Sequence, residues 1–139
     1  VSARTKARKR AVDALFAADL RDEMANDLLN EAERLSEDRE SQREIFDYAR
    51  QAVIGVLEHQ ADIDEQLETY AQGWTLTRMP ALDRSILRLA TWEILFNDQV
   101  PDAVAVDEAV ELAKEYSTES SAGFINGLLG KIVSTRTAL

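Results

Sequence analysis

Five cations crowd the first ten residues. Arg4, Lys6, Arg8, Lys9 and Arg10 stand there with no acid among them, a local charge of +5. Clustered lysine and arginine neutralise phosphates, which gives affinity for a polyanion but little choice of sequence. Choice needs unstacked bases laid on aromatic or guanidinium planes, with polar groups at their edges. An aromatic residue off the core, beside basic or polar neighbours, is therefore the natural complement of such an arm. Phe124 fits: helical spacing puts it at the edge of an apolar arc, on the side of Gly127 and Lys131. Gly127 removes a side chain one turn along, and Asn126 can read a base edge. Phe124 also reads as a core residue closing a helix start, the commoner place for such an aromatic. Gly123 and Gly127 read equally as sites of close helix packing.

Other titratable residues point away from catalysis. Asp83 and Glu93 fall inside an apolar arc, where a lone charge is very costly. Glu93 is expected to be satisfied by an internal ion pair. Asp83 has two readings: a first-turn carboxylate favoured by the helix dipole, or a salt-bridge partner for another protein. His59 is the sole histidine, with Glu58 and Asp62 nearby. A stable metal site needs about three or four convergent ligands, so His59 reads as a solvated helix-end residue. No phosphate-cradling glycine loop or nucleophile elbow is visible, and a cysteine nucleophile is impossible. Neither enzyme activity, metal nor cofactor is expected.

These residues need a scaffold. The 139 residues are 45% hydrophobic and 30% charged, enough to bury one helical core. Two prolines and five glycines favour long helices. The absence of cysteine favours an intracellular, cytoplasmic protein. No apolar stretch is long enough to span a bilayer, and the basic start lacks the apolar segment of a secretory signal. Net charge is −10, yet 11 basic residues face all 26 acids beyond residue 10. The chain is a basic arm on an acidic body, a charge asymmetry found in polyanion binders and equally in solvated helix ends.

Helical periodicity dominates. It predicts helices near 4–21, 26–37, 41–59, 62–71, 79–97, 103–116 and 121–135. The first carries two apolar stripes, one of Ala7, Ala11, Ala14, Leu15 and Ala18, the other of Val12, Phe16 and Leu20, so it is central or meets a partner. The acidic second helix should be the least stable, with a narrow stripe of Leu28, Leu29, Ala32 and Leu35. Asp62 is the expected N-cap of the fourth helix, and Ser120 or Ser121 of the last. Pro80 suits an early helical position. The fold class is all-α: about seven helices in two subdomains, 1–72 with the basic arm and 73–139, sharing one core and joined near Gly73.

Four stretches, in this order and spacing, resemble the NusB family of bacterial antitermination factors: ARKRAVDALF at 7–16, LDRSILRLATWE at 82–93, VDEAVELAK at 106–114 and GFINGLL at 123–129. The last two are the most specific. The resemblance covers nearly the whole chain. It implies binding to the boxA element of ribosomal RNA leaders with a small-subunit ribosomal protein also called NusE. It further implies loading onto RNA polymerase and suppression of premature termination. Arg4 and Arg8 then match RNA-contacting positions best, strengthened by Lys6, Lys9 and Arg10. Phe124, with Lys114 and Tyr116, would flank the RNA path. Phe16 and Asp83 would lie near the NusE surface. Thr5 departs from the arginine run of some relatives, and Ser120 from an acid; both changes bear on RNA affinity. The resemblance leaves monomer and homodimer open. A NusB-like module also occurs fused to ribosomal RNA methyltransferases, but this chain lacks their glycine-rich cofactor motif. A third reading is a helical scaffold whose arm binds nothing.

Overall fold

A computed structural model describes residues 2–138, with side chains described through Arg136. Seven helices follow in order: α1 Ala3–Arg21, α2 Ala25–Arg34, α3 Arg39–Glu58, α4 Gln60–Tyr70, α5 Ala81–Phe96, α6 Asp102–Tyr116 and α7 Glu119–Ala138. A single 3-10 turn, Leu76–Arg78, precedes α5. Among the described residues there is no strand, and no helix is long and apolar enough to cross a membrane. The all-α class read from periodicity is the class observed.

α5 organises the molecule. Ten of its 16 residues are buried, and it touches α1, α3, α4, α6 and α7. Such a helix is apolar nearly all round, which is why Ile86, Leu87, Leu89, Ala90 and Ile94 recur without a single-stripe gap. α1 is also central, packed against α2, α3 and α5. Its alanine stripe is innermost, with Ala7 and Ala11 fully buried. The second stripe fades outward: Val12 is buried, Phe16 half-buried and Leu20 exposed. Buried apolar side chains from all seven helices form one cluster.

The α3–α5 crossing depends on Gly55, a contact the periodicity gave no sign of. A Cβ there would lie 2.1 Å from Nε1 and 2.3 Å from Cε2 of Trp92. The indole is buried and cannot swing away. Gly55→Ala is therefore expected to destabilise the fold by about 1–3 kcal/mol through overpacking. Urea denaturation followed by far-UV circular dichroism reads this as a lowered midpoint; an unchanged midpoint would mean that the two helices slide apart freely.

Several helix ends differ from expectation. Pro80 is the residue before α5, not within it. His59, not Asp62, separates α3 from α4, and Asp62 sits in the first turn of α4. The last helix is capped by neither Ser120 nor Ser121: Thr118 Oγ1 accepts from the Ser121 N–H at 3.0 Å. In α2 the stripe is narrower than predicted, since Ala25 and Leu29 are buried while Leu35 is exposed. His59 is not the solvated residue expected. Its ring stacks on Phe96 with centroids 3.9 Å apart and planes 11° apart.

Candidate functional site

The basic end of α1 rests against the N-terminal half of α3, the C-terminal half of α5, and α6, and its five cations fare differently. Lys6 and Arg10 are exposed, and Arg4 is half-buried. Arg4 lies over the Tyr48 ring at 4.3 Å, and Arg10 over Phe46 at 5.1 Å. Rings hold these guanidinium groups without neutralising them. Lys9 sits 4.6 Å from the Tyr116 ring centre and pairs with Asp13 at 3.3 Å.

Arg8 departs from the others. It is only 3% exposed and its Nε donates to both carboxylate oxygens of Glu93, at 3.1 and 3.0 Å. Its Nη1 lies 3.6 Å from Glu108. Glu93 is 1% exposed and also accepts from the Tyr48 hydroxyl, which in turn accepts from Asn97 Nδ2 at 3.0 Å. Thr5 closes the outer edge by donating to Glu108 at 2.8 Å. Glu93 is thus the internally paired carboxylate expected. Its partner is the arginine that the resemblance assigned to RNA: the structure places the Arg8 guanidinium in the core, bonded to Glu93 and apart from the more exposed cations of the arm.

Burial, and then the Glu93 carboxylate, push the Tyr48 phenol above its ordinary value of 10.0. The fold favours the neutral phenol. Stability attached to it is whole below pH 10 and is lost as pH rises further, because only the unfolded chain ionises easily there. Between pH 10 and 12 the wild type should lose stability more steeply than Tyr48→Phe. Urea midpoints across that range measure the difference, and parallel slopes would show that Tyr48 titrates normally.

Asp83 is likewise held from inside the molecule. It is 2% exposed, and its carboxylate accepts from Ser117 Oγ at 2.8 Å and Ser121 Oγ at 2.6 Å. Ser117 ends α6 and Ser121 stands in the first turn of α7, so Asp83 fastens the α6–α7 corner to α5. Phe16 is half-buried and keeps an accessible edge on α1.

The remaining candidates divide between two faces of α7. Lys114 and Asn126 share a groove of about 510 Å³ with Asp107, Glu111 and Glu119. Lys114 pairs with Glu111 at 3.6 Å. That groove carries more negative than positive charge. Phe124 and Lys131 line a separate cleft of about 270 Å³ with Tyr70 and Trp74. Phe124 is half-buried and packs against the core, with part of its ring left accessible. A Cβ at Gly123 or Gly127 would meet nothing within 4 Å, which removes close helix packing as their role and leaves open space beside Phe124.

Trp74 is the residue the periodicity did not single out. It is 51% exposed and its ring lies 6.2 Å from that of Phe124, tilted by 56°. The only cue was a tryptophan in the short segment between Gly73 and Pro80. In the connection between α4 and the 3-10 turn, Gln72 and Gly73 take positive φ angles of 45° and 90°. The aromatic pair also borders a cleft of about 210 Å³ that reaches Met79, Pro80 and Asp83.

The sequence profile described as the NusB family matches residues 5–134. The chain is 60% identical over 138 residues to the transcription antitermination protein NusB of Leifsonia xyli subsp. xyli, covering 98% of this chain and 94% of that protein. Among solved structures it is similar to T. maritima NusB, with a TM-score of 0.83 and 37% identity over 94% of this chain and 90% of that one. It is also similar to a chain in a crystal structure of the antitermination factors NusB and NusE in complex with double-stranded RNA. There the TM-score is 0.82 at 27% identity, covering 96% and 97% of the two chains.

Proposed function

The chain belongs to the NusB family, and from that premise we propose that it is a non-enzymatic RNA-binding transcription antitermination factor. It binds boxA in ribosomal RNA leader transcripts together with a small-subunit ribosomal protein acting as NusE. It works in the cytoplasm and promotes processive transcription by RNA polymerase. The observation that carries this reading is the arm: Arg4, Lys6 and Arg10 have no recorded ion pair among the described residues, on a body that is otherwise strongly acidic. The likeness to a NusB solved with NusE and double-stranded RNA supports the choice of partners. Phe16 is the aromatic residue offered to the ribosomal protein. Lys114 and Asn126 are peripheral to the RNA path because acids share their groove.

Phosphate contacts are counted by salt. Log affinity for single-stranded RNA falls against log salt with a slope of about 0.7 per phosphate neutralised. Lys6→Ala should weaken binding to all RNA sequences alike and make the slope shallower by about 0.7. Fluorescence anisotropy across a salt series measures it. An unchanged slope would take Lys6 out of the interface. Sedimentation of the free protein over the same concentrations separates a monomer from a homodimer.

A further inference from the structure

We propose that Tyr48 is a positioning residue for RNA binding: its buried ring holds the Arg4 guanidinium in place, fully charged and paired with no acid, ready for a phosphate. The inference rests on the RNA-binding reading above. It adds to that reading a residue of α3 that does not itself touch RNA.

Arg4 stands in the first turn of α1, where a cation meets the positive end of the helix dipole. Its own helix therefore gains nothing from the charge. Arg8 lies one turn along on the same face, and like charges at that spacing repel. The structure relieves Arg8 and leaves Arg4 without an acid. Glu93 takes Arg8 on both oxygens and also accepts from the Tyr48 hydroxyl. Glu108, the other carboxylate at this end of the arm, accepts from Thr5 and lies against Arg8. Arg4 has no ion pair among the described residues. What it meets is the Tyr48 ring, with the guanidinium carbon 4.3 Å from the ring centre.

That ring is fixed from behind. Tyr48 is 7% exposed, and its hydroxyl donates to Glu93 while accepting from Asn97 Nδ2 at 3.0 Å. Donation to a carboxylate polarises the phenol and makes the face of the ring more negative, a better seat for a cation. The same burial keeps the ring from stacking on a base, so Tyr48 acts through Arg4. A long side chain loses rotamer freedom when a ligand fixes it, and a ring that has fixed it beforehand lowers that cost of binding. A carboxylate would also fix Arg4 but would cancel its charge.

The test uses the full chain, a labelled single-stranded boxA RNA and fluorinated phenylalanines in place of Tyr48. Tyr48→Phe is the reference. It keeps the flat ring and should retain most of the RNA affinity, although losing the hydroxyl makes the fold less stable. Stepwise fluorination of that phenylalanine keeps the ring's shape while draining negative charge from its face. The dissociation constant should rise with each step, to about 2- to 30-fold in all, the size of one cation–π contact. With Arg4→Ala the same series should be flat. Circular dichroism checks that every variant is folded at the temperature of the titration. A flat series in the chain that keeps Arg4 would overturn the proposal. So would an equal rise with and without Arg4, which would mean that the ring acts through the fold. Tighter binding on fluorination would overturn it too, because the ring would then be holding Arg4 away from RNA. Wild-type affinity in Arg4→Ala would remove Arg4 from the interface, and this inference with it, while the RNA-binding reading stood. Failure of the unsubstituted chain to bind RNA at all would overturn both.

Discussion

Arg8→Ala is expected to destabilise the protein by about 3–5 kcal/mol, because it strands the Glu93 carboxylate in the core. At this chain length that is a fall in Tm of roughly 10–20 °C. Glu93 would keep only the Tyr48 hydroxyl as a recorded partner, and a single neutral donor does not replace a guanidinium bonded to both oxygens. Glu93→Ala leaves the complementary charge buried, and its loss should be of similar size. The double variant should cost less than the two losses added, since each single change includes the penalty of an orphaned charge. Thermal denaturation of the three variants measures the cycle. Its RNA counterpart is as informative. At a temperature where the variant is still folded, Arg8→Ala should keep the salt slope of the wild type, unlike Lys6→Ala. A small stability loss with a shallower slope would return Arg8 to the phosphate contacts.

Asp83→Ala is the second large effect, on the order of 2–4 kcal/mol, from losing two charge-assisted hydrogen bonds in a buried place. The loss is local in its origin. Ser117 and Ser121 would be released from α5, and the α6–α7 corner, with the first turn of α7, would loosen. RNA affinity should fall with stability, because two candidate RNA residues flank that turn. Asp83→Asn keeps an acceptor oxygen and should lose less of both. Hydrogen exchange at the start of α7, with urea denaturation, distinguishes this from a surface role. Unchanged exchange and stability, with weakened binding of the ribosomal protein, would place Asp83 in a protein interface.

The helices were legible because a 3.6-residue period is a local property. α6 shows this best, with Ala105, Ala109, Leu112 and Ala113 all on its buried face. Legibility declined where a partner comes from far along the chain. Glu93 had to be neutralised, and that could be argued from its neighbours alone. That Arg8 neutralises it, 85 residues away, depends on how α1 crosses α5. The same cluster of like charges therefore hid one structural arginine among surface cations. Asp83 shows the same limit: the two serines that hold it lie 34 and 38 residues away. Its burial was foreseen in kind but not in partner. Trp74 escaped notice because it belongs to no period. It stands in a short connection whose shape is set by the positive φ angles of Gln72 and Gly73 and by the 3-10 turn after it. The acidic groove around Lys114 and Asn126 was likewise invisible until α6 and α7 were laid together.

The most direct measurement is a titration of labelled boxA RNA and a scrambled control of equal length, with and without the ribosomal protein, at two salt concentrations. The adaptor account predicts tighter binding of boxA, a preference that widens when the ribosomal protein is present, and affinity that drops steeply with salt. Equal binding of the two RNAs in every condition would contradict it and leave a basic arm with no specific task.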